Sequence, residues 1–479
     1  MNYRMIGYLL GIILAIEASL LALPLVVSAC YGESILPFLI TIAIILAVAL
    51  PAILLKPKNT QIYAKDGFVT VAAGWILLSA FGALPFVIGT SIPSYIDAFF
   101  ETVSGFTTTG ATILKEIESL PRGILFWRSF THWIGGMGVL VFMLAILPSG
   151  NGQTMHLMRA EVPGPTKGKI VPKMKQTALI LYGIYVALTV IMIIALLICR
   201  LPLYDSVVNS LATAGTGGFS ILNNSIGGYN SPTVEWVIAI FMFLFGINFS
   251  LYFFLLLGKV KDVFKNEELR AYLIICASAV MLIAINTAHT FESVSDCLRA
   301  SFFQVTSIMS TSGYSSVDFN LWPEFSKAII VFLMILGACA GSTAGGLKIS
   351  RMLILLKSII REIRHVLRPR SINVIRLDGE AIPDETVRSA LGYLAMYVTI
   401  IVSVFLMISV DGFGVSTNFT AALTCVNNVG PGLDMIGPMG NFSAYSGFSK
   451  TVLSFAMLFG RLEIMPMIIL FSPFAWKKR

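Results

Sequence analysis

Four short, glycine-bearing stretches, each lying between two long apolar runs, constrain this chain more than any other feature. The first runs Asp97-Ala-Phe-Phe-Glu-Thr-Val-Ser-Gly-Phe-Thr-Thr-Thr-Gly110-Ala-Thr, and the second Asp205-Ser-Val-Val-Asn-Ser-Leu-Ala-Thr-Ala-Gly-Thr-Gly217-Gly-Phe-Ser. The third runs Asp296-Cys-Leu-Arg-Ala-Ser-Phe-Phe-Gln-Val-Thr-Ser-Ile-Met-Ser-Thr-Ser-Gly313-Tyr-Ser-Ser. The fourth and most divergent is Phe419-Thr-Ala-Ala-Leu-Thr-Cys-Val-Asn-Asn-Val-Gly430-Pro-Gly. Aligned on Gly110, Gly217, Gly313 and Gly430, they recur roughly every hundred residues, the sign of an internal repeat. Each begins with helix-forming residues, ends in small and β-branched ones, and is too short to cross a bilayer.

Such stretches matter because of what surrounds them. The chain is 56% hydrophobic and 12% charged, with a mean hydropathy of +0.85, so its 479 residues cannot cover a water-facing surface. Apolar runs fall near 5–30 and 34–55, then near 68–91, 123–147, 175–199, 233–257, 268–289, 323–347, 388–410 and 448–471. The first is longer than a signal-peptide core and carries Glu17, so Met1 is read as part of the mature protein. The pattern predicts an all-α polytopic membrane protein: two N-terminal spans, then four span–pore loop–span repeats around a pseudo-fourfold pore. The modules are placed at 1–60 for the two-span domain, then 61–166, 167–265, 266–370 and 371–479. Most of the 33 basic residues, among them Lys56, Lys167, Lys259, the segment from Lys348 to Arg388, and Lys477, then fall on one side. That positive-inside bias accounts for the +8 net charge without nucleic acid and puts both termini in the cytoplasm.

A non-helical segment inside hydrocarbon is expensive unless protein or a water-filled cavity shelters its backbone. Four of them make sense if they converge on one axis, where exposed carbonyls replace the hydration shell of a cation. The half-helices would aim their partially negative C-terminal ends at that axis, with Asp97, Asp205 and Asp296 at their outer starts.

Two further features belong to the same reading. Gly337, Ala338, Cys339, Ala340, Gly341, Ser342, Thr343, Ala344, Gly345 and Gly346 form a run of small residues at the end of the third module's second span. Such a run either packs closely on a neighbouring helix or breaks into a loop that gates the path, and its length favours the loop. Arg461, inside the last apolar segment, needs a pore, a carboxylate such as Glu463, or carbonyls around it. Beside a conduction path it would raise the barrier for cations. Arg351, Lys357, Arg361, Arg364 and Arg368 mark a basic, partly amphipathic helix suited to anionic lipid or an acidic partner face. Six scattered cysteines and four dispersed histidines suggest no metal cluster, and no phosphate-binding loop, organic-cofactor fingerprint or Ser/His/Asp set points to an enzyme.

Ser104-Gly-Phe-Thr-Thr-Thr-Gly110-Ala-Thr, Gly215-Thr-Gly217-Gly-Phe-Ser220, Gly341-Ser-Thr-Ala-Gly-Gly346 and Gly460-Arg461 resemble the membrane subunit of the bacterial Trk/Ktr K⁺ uptake superfamily. The two extra N-terminal spans favour its TrkH/TrkG branch. The resemblance implies a bacterial inner-membrane homodimer with one pore per subunit, regulated by a TrkA-like cytosolic nucleotide-binding ring. It also implies a K⁺ selectivity filter at Thr108, Thr109, Gly110 and Ala111, at Thr216, Gly217 and Gly218, at Ser312, Gly313 and Tyr314, and at Val429, Gly430 and Pro431. K⁺, the transported ion, would lie among the backbone carbonyls near Thr109, Thr216, Ser312 and Val429, with the gating loop at 337–346 and the pore barrier at Arg461. The fourth loop lacks a threonine before its glycine, so a less regular filter with some Na⁺ permeation is expected there. The alternative is an H⁺- or Na⁺-coupled K⁺ symporter, for which Glu101 and Glu463 are the candidate coupling residues.

Overall fold

The computed structural model describes residues 1–59, 61–138, 174–370 and 373–476. The basic stretch expected near 149–175 and the second half of the 123–147 run lie largely outside these residues. Among the described residues, helices account for the fold apart from a hairpin of two short strands, β1 (Arg376–Leu377) and β2 (Glu380–Ala381).

The N-terminal pair is α1 (Tyr3–Leu20), continued by α2 (Ala22–Cys30), and α3 (Leu36–Leu54). A Cβ at Gly11 would lie 2.9 Å from that of Ala52, so the absence of a side chain is what lets α1 and α3 cross closely. Among the described residues, the stretch read as the first module holds α4 (Ala64–Gly82), α5 (Leu84–Ile88), the short α6 (Tyr95–Phe106) and α7 (Arg122–Gly136). Glu33, in the turn between α2 and α3, accepts from the Arg122 and Gly123 N–H groups at 2.6 and 2.9 Å. The N-terminal pair thus caps a helix of the first module.

The second module holds α8 (Met174–Ile198), the short α9 (Leu203–Gly215), and α10 (Pro232–Phe245) with α11 (Phe249–Leu256). After the brief α12 (Val260–Lys265), the third holds α13 (Glu267–Thr287), the short α14 (Val294–Met309), α15 (Glu324–Leu336) and α16 (Ile349–Leu367). The fourth holds α17 (Asp384–Ile408), the short α18 (Val415–Asn427), α19 (Gly447–Arg461), α20 (Met465–Phe471) and the terminal turn α21 (Pro473–Trp476).

Among the described residues, six helices are long and apolar enough to cross a membrane, and a seventh span results if α10 and α11 are joined across their 91° bend. The ten apolar runs of the sequence are therefore not ten continuous helices. The second run of each later module is broken part-way: at 246–248, at Gly337, and at Leu462 to Ile464, where Glu463 and Ile464 have positive φ.

The basic helix α16 is less available to outside anions than its sequence suggests. Arg351 pairs with Glu463, Lys357 with Glu267, and Arg361 with Asp384 at 2.7 Å. Acids from elsewhere in the fold pair with three of the five cations singled out there.

Candidate functional site

The short helices α6, α9, α14 and α18 end in one and the same turn. Thr108, Thr216, Thr311 and Asn428 all take the left-handed conformation, with φ of 55–56°. The next residue in each turns its N–H back five positions: Thr109 to Ser104 O at 2.9 Å, Gly217 to Ala212 O at 3.0 Å, Ser312 to Ser307 O at 2.8 Å and Val429 to Thr424 O at 3.0 Å. These are Schellman closures, which satisfy carbonyls that a helix end leaves without partners. A glycine with positive φ follows in every case, at Gly110, Gly218, Gly313 and Gly430.

The four turns meet edge to edge. A Cβ at Gly110 would lie 2.0 Å from Gly217 O, one at Gly218 1.9 Å from Ser312 O, one at Gly313 2.2 Å from Val429 O, and one at Gly430 2.7 Å from Thr109 O. Each glycine abuts the carbonyl of the next loop in chain order, and the last returns to the first. The result is a closed ring carrying the carbonyls of Thr109, Gly217, Ser312 and Val429. Only glycine can stand between them, for reasons of both space and φ.

This geometry moves the second loop by one residue from its sequence alignment. Gly218, rather than Gly217, corresponds to Gly110, and the carbonyl that matches Thr109 belongs to Gly217, not Thr216. Two adjacent glycines hid the register, because each is glycine for a different reason. Gly218 has φ of 72°, whereas a Cβ at Gly217 would lie 1.8 Å from Nδ1 of the buried His132. The fourth loop, expected to be less regular, keeps the same left-handed turn at its helix end and departs at its glycine. Asparagine tolerates the left-handed region better than most residues, so Asn428 occupies the position that threonine fills elsewhere. A φ of 104° at Gly430, against 72–79° at the other three glycines, is the remaining difference.

Other residues singled out in the sequence lie around the ring. Ala111 is buried directly after Gly110, and Pro431 Cδ would sit 2.8 Å from a Cβ at Gly313. Tyr314 reaches behind the second loop, where its hydroxyl donates to Phe219 O at 3.2 Å.

The small-residue run interrupts the helix after Leu336 instead of packing as one. Gly337 has φ of 67°, and regular helix resumes only at Ile349. Backbone bonds tie the run to the break between α10 and α11: Cys339 N donates to Gly246 O at 3.1 Å and Gly341 O accepts from Phe249 N at 3.0 Å. Glu268 accepts from Ala340 N at 2.7 Å and Ser350 N at 3.0 Å, spanning almost the whole run. Ser342 donates to Cys339 O, Thr343 to Phe245 O, and Lys348 to Ala344 O. Its far end touches the ring loops, since Gly345 N donates to Thr311 Oγ1 at 2.7 Å, and Gly346 packs back on Gly337.

Arg461 reaches the same place. Its guanidinium donates to Thr343 O at 2.8 Å, Gly136 O at 2.9 Å and Gly135 O. The last two belong to the C-terminal end of α7, where a cation is favoured. Glu463 pairs with Arg351, and the carbonyls of Thr343, Gly135 and Gly136 are among the partners of Arg461. Glu101 is paired as well, with Arg128 at 2.6 Å. Arg128, Glu268, His132 and Thr311 were not singled out from the sequence. The signal for the first two was the presence of a charged residue in or beside an apolar run.

The fold and ring define a polytopic helical membrane protein in which four loops converge on one set of backbone carbonyls. The chain belongs to the TrkH family of cation transport proteins, whose sequence profile matches residues 37–478. It is 34% identical over 486 residues to the Trk system potassium uptake protein TrkH of Escherichia coli K12, covering both chains completely. It is 32% identical over 482 residues to TrkG of the same organism, with 99% of each covered. The crystal structure of the potassium transporter TrkH from Vibrio parahaemolyticus superposes with a TM-score of 0.90 at 31% identity, over the full length of both chains.

Proposed function

We propose that the chain is the K⁺-translocating pore subunit of a bacterial potassium uptake system, and that permeation through it is channel-like. The observation that carries this reading is the closed ring formed by the carbonyls of Thr109, Gly217, Ser312 and Val429. Carbonyls so arranged replace the water shell of a dehydrated monovalent cation, and four helix C-termini aimed at them add negative potential. The potassium uptake named for its relatives supports K⁺ as the ion.

The run at 337–346 serves as the gate, because it lies against the ring loops and is held by hydrogen bonds that a rearrangement can exchange. Arg461, fixed between this run and α7, raises the barrier for cations and helps empty the ring. Both carboxylates considered for coupling are engaged, Glu101 by Arg128 and Glu463 by Arg351, which favours passive flux. The subunit works in the inner membrane as a homodimer, with both termini cytoplasmic, under a TrkA-like nucleotide-binding ring.

Flux into proteoliposomes tests the reading. K⁺ or Rb⁺ entry follows the electrochemical gradient in the parent, and Gly110→Ala or Gly313→Ala lowers it or loses preference over Na⁺. Unchanged flux and preference in both variants would remove the filter assignment. Accumulation of K⁺ against its gradient, driven only by an H⁺ or Na⁺ gradient, would replace channel-like permeation by symport.

A further inference from the structure

The first and third walls of the ring carry an internal hydroxyl brace that the second lacks. In the first loop the hydroxyls of Thr107 and Thr109 hydrogen-bond to each other at 2.8 Å, and in the third those of Ser310 and Ser312 do the same at 2.8 Å. In the fourth, Asn428 Nδ2 donates to Thr109 Oγ1 at 3.0 Å and to Met457 O at 2.9 Å. The second loop has Gly215 and Gly217 where those paired hydroxyls stand, and its Thr216 hydroxyl donates to the neighbouring Gly215 O at 2.6 Å. Its support comes from outside, just past the ring, at Phe219 and Ser220.

Arg128 supplies most of that support. Its Nη1 donates to Ser220 O at 2.8 Å, and its guanidinium lies 3.6 Å from the centre of the Phe219 ring. His132, one turn further along α7, stacks on the same ring at 4.1 Å. The third loop adds the Tyr314 hydroxyl on Phe219 O. Arg128 is in turn fixed by Glu101, whose carboxylate accepts from Arg128 Nε at 2.6 Å, from Ile113 N at 3.0 Å and from Thr112 Oγ1 at 2.9 Å. Thr112 and Ile113 are the first loop's own residues just past the ring. One carboxylate thus holds the first loop directly and the second through a guanidinium, with both charged side chains at most 2% exposed.

We propose that the Glu101–Arg128 pair is a selectivity-determining positioning pair, which holds the second loop's carbonyl in register with the other three. The proposal rests on the K⁺-filter reading above. An ion pair kept from water is costly to build, and its use lies in fixing geometry that packing alone leaves loose. Discrimination between K⁺ and Na⁺ depends on how far the carbonyls can approach the ion, so loosening one wall lets the ring contract on the smaller ion.

The test uses the full-length protein in liposomes, reading the Na⁺/K⁺ permeability ratio for E101Q, R128K and Y314F. E101Q keeps the shape and removes the charge. The expected rise in relative Na⁺ permeability is on the order of tenfold, the equivalent of one charge-assisted hydrogen bond. R128K shifts the ratio too, because an ammonium cannot bridge Glu101 and Ser220 with a planar fork. Y314F, which removes only the hydroxyl, gives a smaller shift in the same direction. A merely structural pair would lower yield and total flux and leave the ratio alone. An unchanged ratio in E101Q and Y314F, beside lost selectivity in G110A, overturns the proposal and leaves the filter reading standing. An unchanged ratio in G110A as well overturns the filter reading itself. If E101Q fails to fold, R128K decides: a shifted ratio supports the proposal, and an unshifted one overturns it.

Discussion

In the second, third and fourth of the stretches read as repeats, the two long helices have opposite fates. The first ones, such as α8, α13 and α17, run unbroken for 25, 21 and 25 residues and leave Ile194, Ile285 and Leu406 more than half exposed. The second ones stop or bend: α10 meets α11 at 91°, α15 ends at Gly337, and α19 ends at Arg461. A helix facing lipid has to close all its hydrogen bonds internally, because hydrocarbon offers none. A helix facing other protein can open, provided its freed groups find partners, and here they find one another. Cys339 N reaches Gly246 O, Phe249 N reaches Gly341 O, and Arg461 reaches Thr343 O and Gly136 O. Breakage therefore marks the protein-facing helices more reliably than polarity does.

Substitutions at the ring should show the largest effects. In G218A the new Cβ meets a backbone carbonyl at 1.9 Å and a φ that costs a side chain roughly 1–2 kcal/mol, so selective flux or the folded protein itself is lost. G217A is nearly as damaging but differs in kind, because the obstacle is the His132 ring. Adding His132→Ala restores part of the K⁺ selectivity to G217A and none to G218A, as read by competitive Rb⁺ and Na⁺ flux. Equal rescue of the two would contradict the register shift. An intermediate effect is expected at the broken helix end: R461A increases cation flux several-fold, and no change or a fall would count against a barrier role. The smallest belongs to the outer helices. Ile194→Val on α8 should move stability by less than about 0.5 kcal/mol and leave selectivity untouched, as checked by thermal unfolding in detergent.

The sequence exposed the scaffold well and the joints poorly. Long apolar runs reveal helices because burial in lipid requires them, and four glycine stretches near one period reveal the loops. The register of the second loop was not readable, since Thr216-Gly217-Gly218 offers two glycines and the space that forces the first belongs to His132, far away in sequence. The fourth loop looked irregular because Asn428 and threonine share a backbone conformation without sharing chemistry. Arg461 announced itself as a buried cation, but its carbonyl partners leave no pattern in a string of side chains. Glu101 and Arg128 sit 27 residues apart on different helices, and only the fold joins them.

The hydrogen bond from Gly345 to Thr311 gives the ring and the small-residue run a shared account in thermodynamics. A rearrangement that withdraws Gly345 leaves the Thr311 hydroxyl to seek another partner at the inner rim. On the proposed reading of the ring as filter and the run as gate, ion occupancy and position of the run are then linked functions. Whatever factor an ion in the ring applies to the run's equilibrium, the run must return to the ion's binding constant. Raising external K⁺ and shifting the run are two handles on one coupling, so open-state lifetimes should vary with the identity of the permeating ion.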